Sequence, residues 1–181
     1  MSNAPRVIHN IALIGFMGSG KSSVGRLVAT QLGFQFLDTD ELIEKRAGKS
    51  ISEIFAQDGE KTFRELESAI VLELAHYRGA VISTGGGLGA REEHVIRLKS
   101  HALVVCLWAT PEVIHRRVCH QTHRPLLQRT DPREAIPRLL SEREATYKKA
   151  DVLLDSGMRS IREVAYQVIH QFHEARKVRP L

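Results

Sequence analysis

Five short apolar runs, near residues 10–14, 34–37, 80–83, 102–108 and 152–154, punctuate the chain. The segments between them carry apolar residues at three- and four-residue steps. Short apolar runs predict strands with little solvent contact, and their alternation with helical spacers predicts a mainly parallel sheet with helices on both faces. Val24, Leu27, Val28 and Leu32 mark a helix directly after the first strand. Phe63, Leu66, Ile70, Leu74 and Tyr77 mark a second stripe, and Ile161, Val164, Ala165, Val168, Ile169 and Phe172 mark a final helix whose stripe faces the sheet.

Helix starts are written in capping chemistry. Ser50 with Glu53, Asp131 with Pro132 and Glu134, and Ser160 with Glu163 read as capping boxes or close variants. Thr110 before Pro111 places a capping hydroxyl ahead of a proline at the first helical position. One stretch, 119–130, has no apolar period; apart from Leu126 and Leu127 it is polar and basic, and it predicts a mobile lid. There is no internal repeat and no low-complexity linker.

At 181 residues and 43% hydrophobic content, the chain supports one well-packed domain, taken as 1–181, and is too short for two of ordinary size. No run approaches the roughly 18 apolar residues that span a bilayer, and the first residues lack a secretion signal, so a soluble cytoplasmic protein is expected, with no membrane partner. Cys106 and Cys119 have neither a metal-ligand spacing nor a disulfide framework. The net charge of +5 raises the question of nucleic acid. Arginines gather at 116, 117, 124, 129, 133, 138 and 143 without interleaved aromatics, which favours a small polyanion over nucleic acid, or a solvated helix face.

The chemistry opens where the first strand ends. Residues 11–14 run into Gly15-Phe16-Met17-Gly18-Ser19-Gly20-Lys21-Ser22, a glycine, four residues, then Gly-Lys-Ser. Glycines let successive backbone N–H groups converge on a polyphosphate, and the helix that follows adds its free N–H groups and the positive end of its dipole. Lys21 would reach the β and γ phosphates, and the Ser22 hydroxyl would ligate magnesium. Neither the run at 80–83, which leads into Thr84-Gly85-Gly86-Gly87, nor that at 102–108, which ends in Trp108-Ala109-Thr110, supplies an aspartate, so the acidic group near the metal falls to Asp38 or Asp40, just after Phe34-Gln35-Phe36-Leu37. In extended chain these two point to one side, one for the magnesium shell and one to orient and accept the proton of an attacking hydroxyl; the competing use is a helix N-cap.

Arg64 borders the second apolar stripe, with Glu67 one turn on to hold its guanidinium. Gly85-Gly86-Gly87 after a strand is either a loose turn or bare backbone against which a ligand presses.

These motifs, together with Leu37-Asp38-Thr39-Asp40 and Arg124-Pro125-Leu126-Leu127, resemble the shikimate kinases in order and spacing, from about residue 10 to 172. The phosphate loop alone is widely shared; the set of five is specific. The resemblance implies a P-loop, nucleoside-monophosphate-kinase-like α/β/α sandwich with a five-stranded parallel sheet in the order 2-3-1-4-5. It implies transfer of the γ-phosphoryl group of ATP, with Mg2+, to the 3-hydroxyl of shikimate in aromatic amino-acid synthesis. Asp40, Lys21 and Arg124 would then be catalytic, with Asp40 as base, and Gly18, Ser19, Gly20, Lys21, Ser22, Ser23, Arg117 and Arg124 would bind ATP. Asp40, Arg64, Gly86, Gly87 and Arg143 would bind shikimate, and Ser22 with Asp38 would serve the metal. Substrate binding falls to about 39–66 and the lid to about 119–131, in a monomer.

The family often has a proline in the loop before the last helix, under the adenine; this chain reads Asp155-Ser156-Gly157-Met158-Arg159 there. Two alternatives stay open at this level: a gluconate kinase-like enzyme, and a non-catalytic nucleotide-binding regulatory module.

Overall fold

A computed structural model describes residues 6–119 and 131–177. Its five strands are β1 (Asn10–Ile14), β2 (Gln35–Asp38), β3 (Ala80–Ser83), β4 (Ala102–Trp108) and β5 (Val152–Asp155). They form one parallel sheet in the order β2-β3-β1-β4-β5. β1 and β4 are buried almost throughout, as strands covered on both faces must be.

Alternate side chains along each strand feed two cores. Ile11, Leu13, Val81, Val105 and Leu107 pack against α1 (Lys21–Leu32) and α8 (Ile161–Lys177) through Val24, Val28, Val164, Val168 and Phe172. Ala12, Ile14, Ile82, Val104 and Cys106 face the other way. They meet α4 (Gly59–Leu74), α5 (Glu92–Lys99), α6 (Pro111–Val118) and α7 (Pro132–Tyr147) through Ile70, Leu74, Val95, Leu98, Ile114 and Leu140. Between β2 and α4 lie α2 (Thr39–Ala47), the single turn α3 (Ile51–Glu53) and a π-helical turn over Ile54–Asp58.

The capping expectations hold in atomic detail. Ser50 and Glu53 bond reciprocally, as do Ser160 and Glu163. Thr110 accepts the N–H of Val113, and Asp131 accepts that of Arg133. Two expectations change. α4 ends at Leu74, so Tyr77 lies beyond the helix it was assigned to. Ile161 is half-exposed at the first turn of α8 instead of facing the sheet. The stretch expected to form a lid lies, from 120 to 130, outside the described residues.

Candidate active site

Most of the described candidate residues gather at the carboxyl ends of β1, β2 and β3, where open parallel sheets bind ligands. The loop after β1 needs its glycines. Gly15 has φ 135°, and a side chain there would overlap the carbonyl oxygen of Leu107 on β4. Gly20 has φ 95° and caps α1, whose first residue is Lys21. The buried Lys21 lays its ammonium along the loop, Nζ donating to the carbonyls of Gly15 at 3.0 Å and Phe16 at 2.9 Å. Ser19 is fully buried, and its N–H closes a turn on Phe16 at 3.2 Å.

Ser22 donates its hydroxyl to Asp38 at 3.0 Å and lies 3.2 Å from the hydroxyl of Ser83. Asp38 and Ser83 are register partners on neighbouring strands. The other oxygen of Asp38 accepts the N–H of Asp40 at 3.1 Å, capping α2. The N-cap use is thus realised on one oxygen, and the other faces Ser22. The expectation of extended chain through both aspartates is corrected, because helix begins at Thr39 and puts Asp40 in the first turn of α2. Both still line one crevice of about 390 Å³ with Lys21, Ser22, Thr84, Gly85 and Gly86.

The three glycines after β3 are where side chains from two elements touch backbone. A Cβ at Gly85 would overlap the Asp40 carboxylate, and one at Gly87 would lie 2.6 Å from Arg64 Nη1. Asp40 and Arg64 therefore flank a single run of bare backbone. Arg64 donates to Glu67 at 2.8 Å and to Glu60 at 2.8 Å. Glu67 is 1% exposed, so this is no surface ion pair. Burial pushes the Glu67 carboxyl above its ordinary range, and Arg64 pulls against that shift. Burial would lower Arg64, but its bonds to Glu67 and Glu60 win and raise it. The Arg64 fork is charged and held in place by the two carboxylates.

Arg143 on α7 reaches the same place from the opposite side. Its Nη1 donates to the Gly86 carbonyl at 2.9 Å, and its guanidinium sits 5.3 Å from the centre of the Phe16 ring. Arg117 on α6 spans the phosphate loop and the loop after β5, donating to Gly18 at 3.2 Å and Ser156 at 2.7 Å. Beside it a second cavity of about 280 Å³ is lined by Gly18, Gly20, Ser23, Arg117, Arg159 and Ile161, among others. Arg124 lies outside the described residues.

Sequence reasoning passed over Ser83, Thr39 and Ser156. Thr39 is fully buried and accepts the Gly85 N–H at 2.8 Å. Ser156 Oγ is 2.8 Å from the Ser19 carbonyl, tying the two nucleotide-side loops together. For Ser83 a signal existed, a polar residue closing an apolar strand just before the glycines; for the other two the partner is distant in sequence and no local pattern marks it. Among the described residues, no three His, Cys, Asp or Glu side chains gather as a metal site.

A family model described as shikimate kinase matches residues 17–173. A shikimate kinase of Caldanaerobacter subterraneus subsp. tengcongensis is 45% identical over 163 residues, covering 90% of this chain and 95% of the relative. Among solved structures, the shikimate kinase from Acinetobacter baumannii in complex with shikimate is 34% identical with a TM-score of 0.87, over 96% of this chain and 97% of that one. A gluconokinase from Sinorhizobium meliloti reaches 18% identity and a TM-score of 0.63 over 95% of both chains, which marks a shared fold and no more.

Proposed function

The chain belongs to the shikimate kinase family, and from that premise we propose that it transfers the γ-phosphoryl group of ATP to the 3-hydroxyl of shikimate, giving shikimate 3-phosphate and ADP. The observation that carries this reading is the single crevice in which the phosphate loop, through Lys21 and Ser22, faces Asp40 across Gly85 and Gly86. Phosphoryl transfer asks a protein for alignment and charge neutralisation more than for covalent chemistry.

Each group then has a task. Gly18, Ser19, Gly20, Lys21, Ser22 and Ser23 hold the phosphates, and Arg117 covers the adenine. The half-exposed Ile161, on the rim of the cavity that Arg117 lines, offers an apolar surface where the family often has a proline nearby. Arg64 and Arg143 hold the substrate carboxylate, since planar donor forks match it. Gly86 and Gly87 line the ring pocket. Asp40 orients the 3-hydroxyl and takes its proton as the new oxygen–phosphorus bond forms and the bond to ADP breaks.

The family uses ATP with a divalent metal, and the oxygens of Ser22 and Asp38 fit Mg2+, which prefers hard oxygen donors and few protein ligands beside phosphates and water. When bound, such an ion neutralises charge gathering on the phosphoryl oxygens. Arg124, in the segment 119–131, would close over the γ-phosphate and exclude water as a competing acceptor. We read residues 1–181 as one kinase domain, with shikimate bound mainly through 39–66. We read it as a monomer. Use of ATP points to the cytoplasm. No helix among the described residues is long and apolar enough to cross a membrane.

The test is coupled ADP release with shikimate, with gluconate and with no acceptor. Turnover with shikimate alone is expected. Preference for gluconate, or ATP binding with no acceptor-dependent turnover, would overturn the assignment.

A further inference from the structure

The glycine run that Asp40 and Arg64 flank is held at its two ends by different anchors. At the Asp40 end, the Gly85 N–H is taken by Thr39, and Thr84 bonds the Leu13 carbonyl through its N–H at 3.1 Å and its hydroxyl at 3.0 Å. At the Arg64 end, the chain enters a single 3-10 turn, Leu88–Ala90, before α5. There the imidazole of His94, 1% exposed, stands between two elements. Its Nδ1 is 3.2 Å from the Leu88 carbonyl, and its Nε2 is 3.2 Å from the hydroxyl of Ser68 on α4. Ser68 is one turn beyond Arg64, and its hydroxyl is also 2.9 Å from the Arg64 carbonyl.

With neutral His94 protonated at Nδ1, the ring donates to the Leu88 carbonyl, and the Ser68 hydroxyl, whose nearer acceptor is the Arg64 carbonyl at 2.9 Å, shares its proton with Nε2. Burial favours that neutral form, pushing the His94 pKa down, with Arg91 acting in the same sense. The imidazole is thus a strut of fixed length between the glycine run and the helix that carries Arg64. The Arg64 guanidinium rests directly against Gly87, so the strut sets the height of the fork above the ring pocket.

We infer that His94 is a positioning residue for the substrate carboxylate, acting through Leu88 and Ser68 to hold Gly87 and Arg64 in register. The inference rests on the reading that Arg64 grips the carboxylate of shikimate. It assigns His94 to substrate affinity and not to phosphoryl transfer, because the Asp40 end of the run has its own anchors.

The experiment compares wild type with His94→Ala, His94→Asn and Ser68→Ala, measuring kcat and the KM for shikimate and for ATP. An Asn side chain keeps one donor and one acceptor, as neutral His does. With His94→Ala the shikimate KM should rise about 5- to 10-fold, the size expected when buried hydrogen-bonding groups lose their partner. The KM for ATP and kcat should stay within about twofold, the separation that an affinity role makes. His94→Asn should recover most of the loss, and Ser68→Ala should raise the shikimate KM in the same direction with less disturbance of the core. Should His94→Ala fail to fold, the Ser68→Ala and His94→Asn results decide. An unchanged shikimate KM in Ser68→Ala and His94→Ala, or equal losses in kcat and both KM values, overturns the inference while the shikimate kinase reading stands. Absence of shikimate turnover in the wild type overturns that reading, and the inference with it.

Discussion

Removing Arg64 should make the protein's stability depend on pH more steeply than the wild type's does. Glu67 is buried to 1% exposure, and Arg64 lies 2.8 Å from its carboxylate. With Arg64→Ala the desolvation that already raises the Glu67 pKa loses its main opponent, leaving the nearby charge of Arg91 as the remaining help. A carboxyl whose folded-state pKa lies above its unfolded value contributes stability that is complete below the unfolded pKa and is lost as pH rises through the folded one. The variant's deficit should therefore be large at neutral pH and shrink in acid, as Glu67 takes up a proton.

Stranding a charge in a dry interior costs about 3–5 kcal/mol. The Arg64 side chain is 28% exposed, so water can enter where it was; a cost of about 2 kcal/mol is the better figure. In a chain of this length that is a Tm deficit of about 4–8 °C. Thermal unfolding followed by circular dichroism from about pH 8 to about pH 5 reads it directly, across the range in which a raised carboxyl titrates. The double variant Arg64→Ala with Glu67→Gln should show a smaller deficit that is flat with pH. A deficit in Arg64→Ala that is the same at both ends of the range, or absent, would refute the picture of a buried charge held by Arg64.

Three further outcomes follow from the geometry. Asp40→Ala should cut kcat by about 100-fold or more, as loss of a positioned base does, while ATP affinity by equilibrium binding stays near wild type; normal turnover of shikimate would remove Asp40 from the role of base. Gly85→Ala forces a methyl into the space held by the Asp40 carboxylate, so kcat should fall with the ATP KM little changed, measured by the same coupled assay. His101, buried with its pKa pushed down to about 4, must stay neutral in the folded state. The unfolded chain binds that proton first, so stability should drop by roughly 3 kcal/mol between about pH 6.5 and pH 4, and His101→Gln should lessen the drop in urea titrations.

Much of this molecule is written locally. The strands announce themselves because a strand covered on both faces keeps polar residues to its ends, and the helix starts because capping uses side chains three residues apart. The phosphate loop is legible for the same reason: its glycines, lysine and serine lie within eight consecutive residues. Arg64 with Glu67 is also local, a pair one helical turn apart.

What the sequence left undecided is what depends on two distant segments meeting. Asp38 was legible as an N-cap or as a metal ligand, and only the packing of β2 beside β3 and α1 lets its two oxygens serve both Asp40 and Ser22. The triple glycine was legible as unusual. That Gly85 makes room for Asp40 and Gly87 for Arg64 needed α2 and α4 in place. The buried state of Glu67 and the strut made by His94 are likewise invisible in a residue list, because burial and hydrogen-bond partnership are properties of the assembled layers. Sequence alone fixes what each segment can do within a few residues of itself; only the closed sheet decides which of those capacities share a cavity.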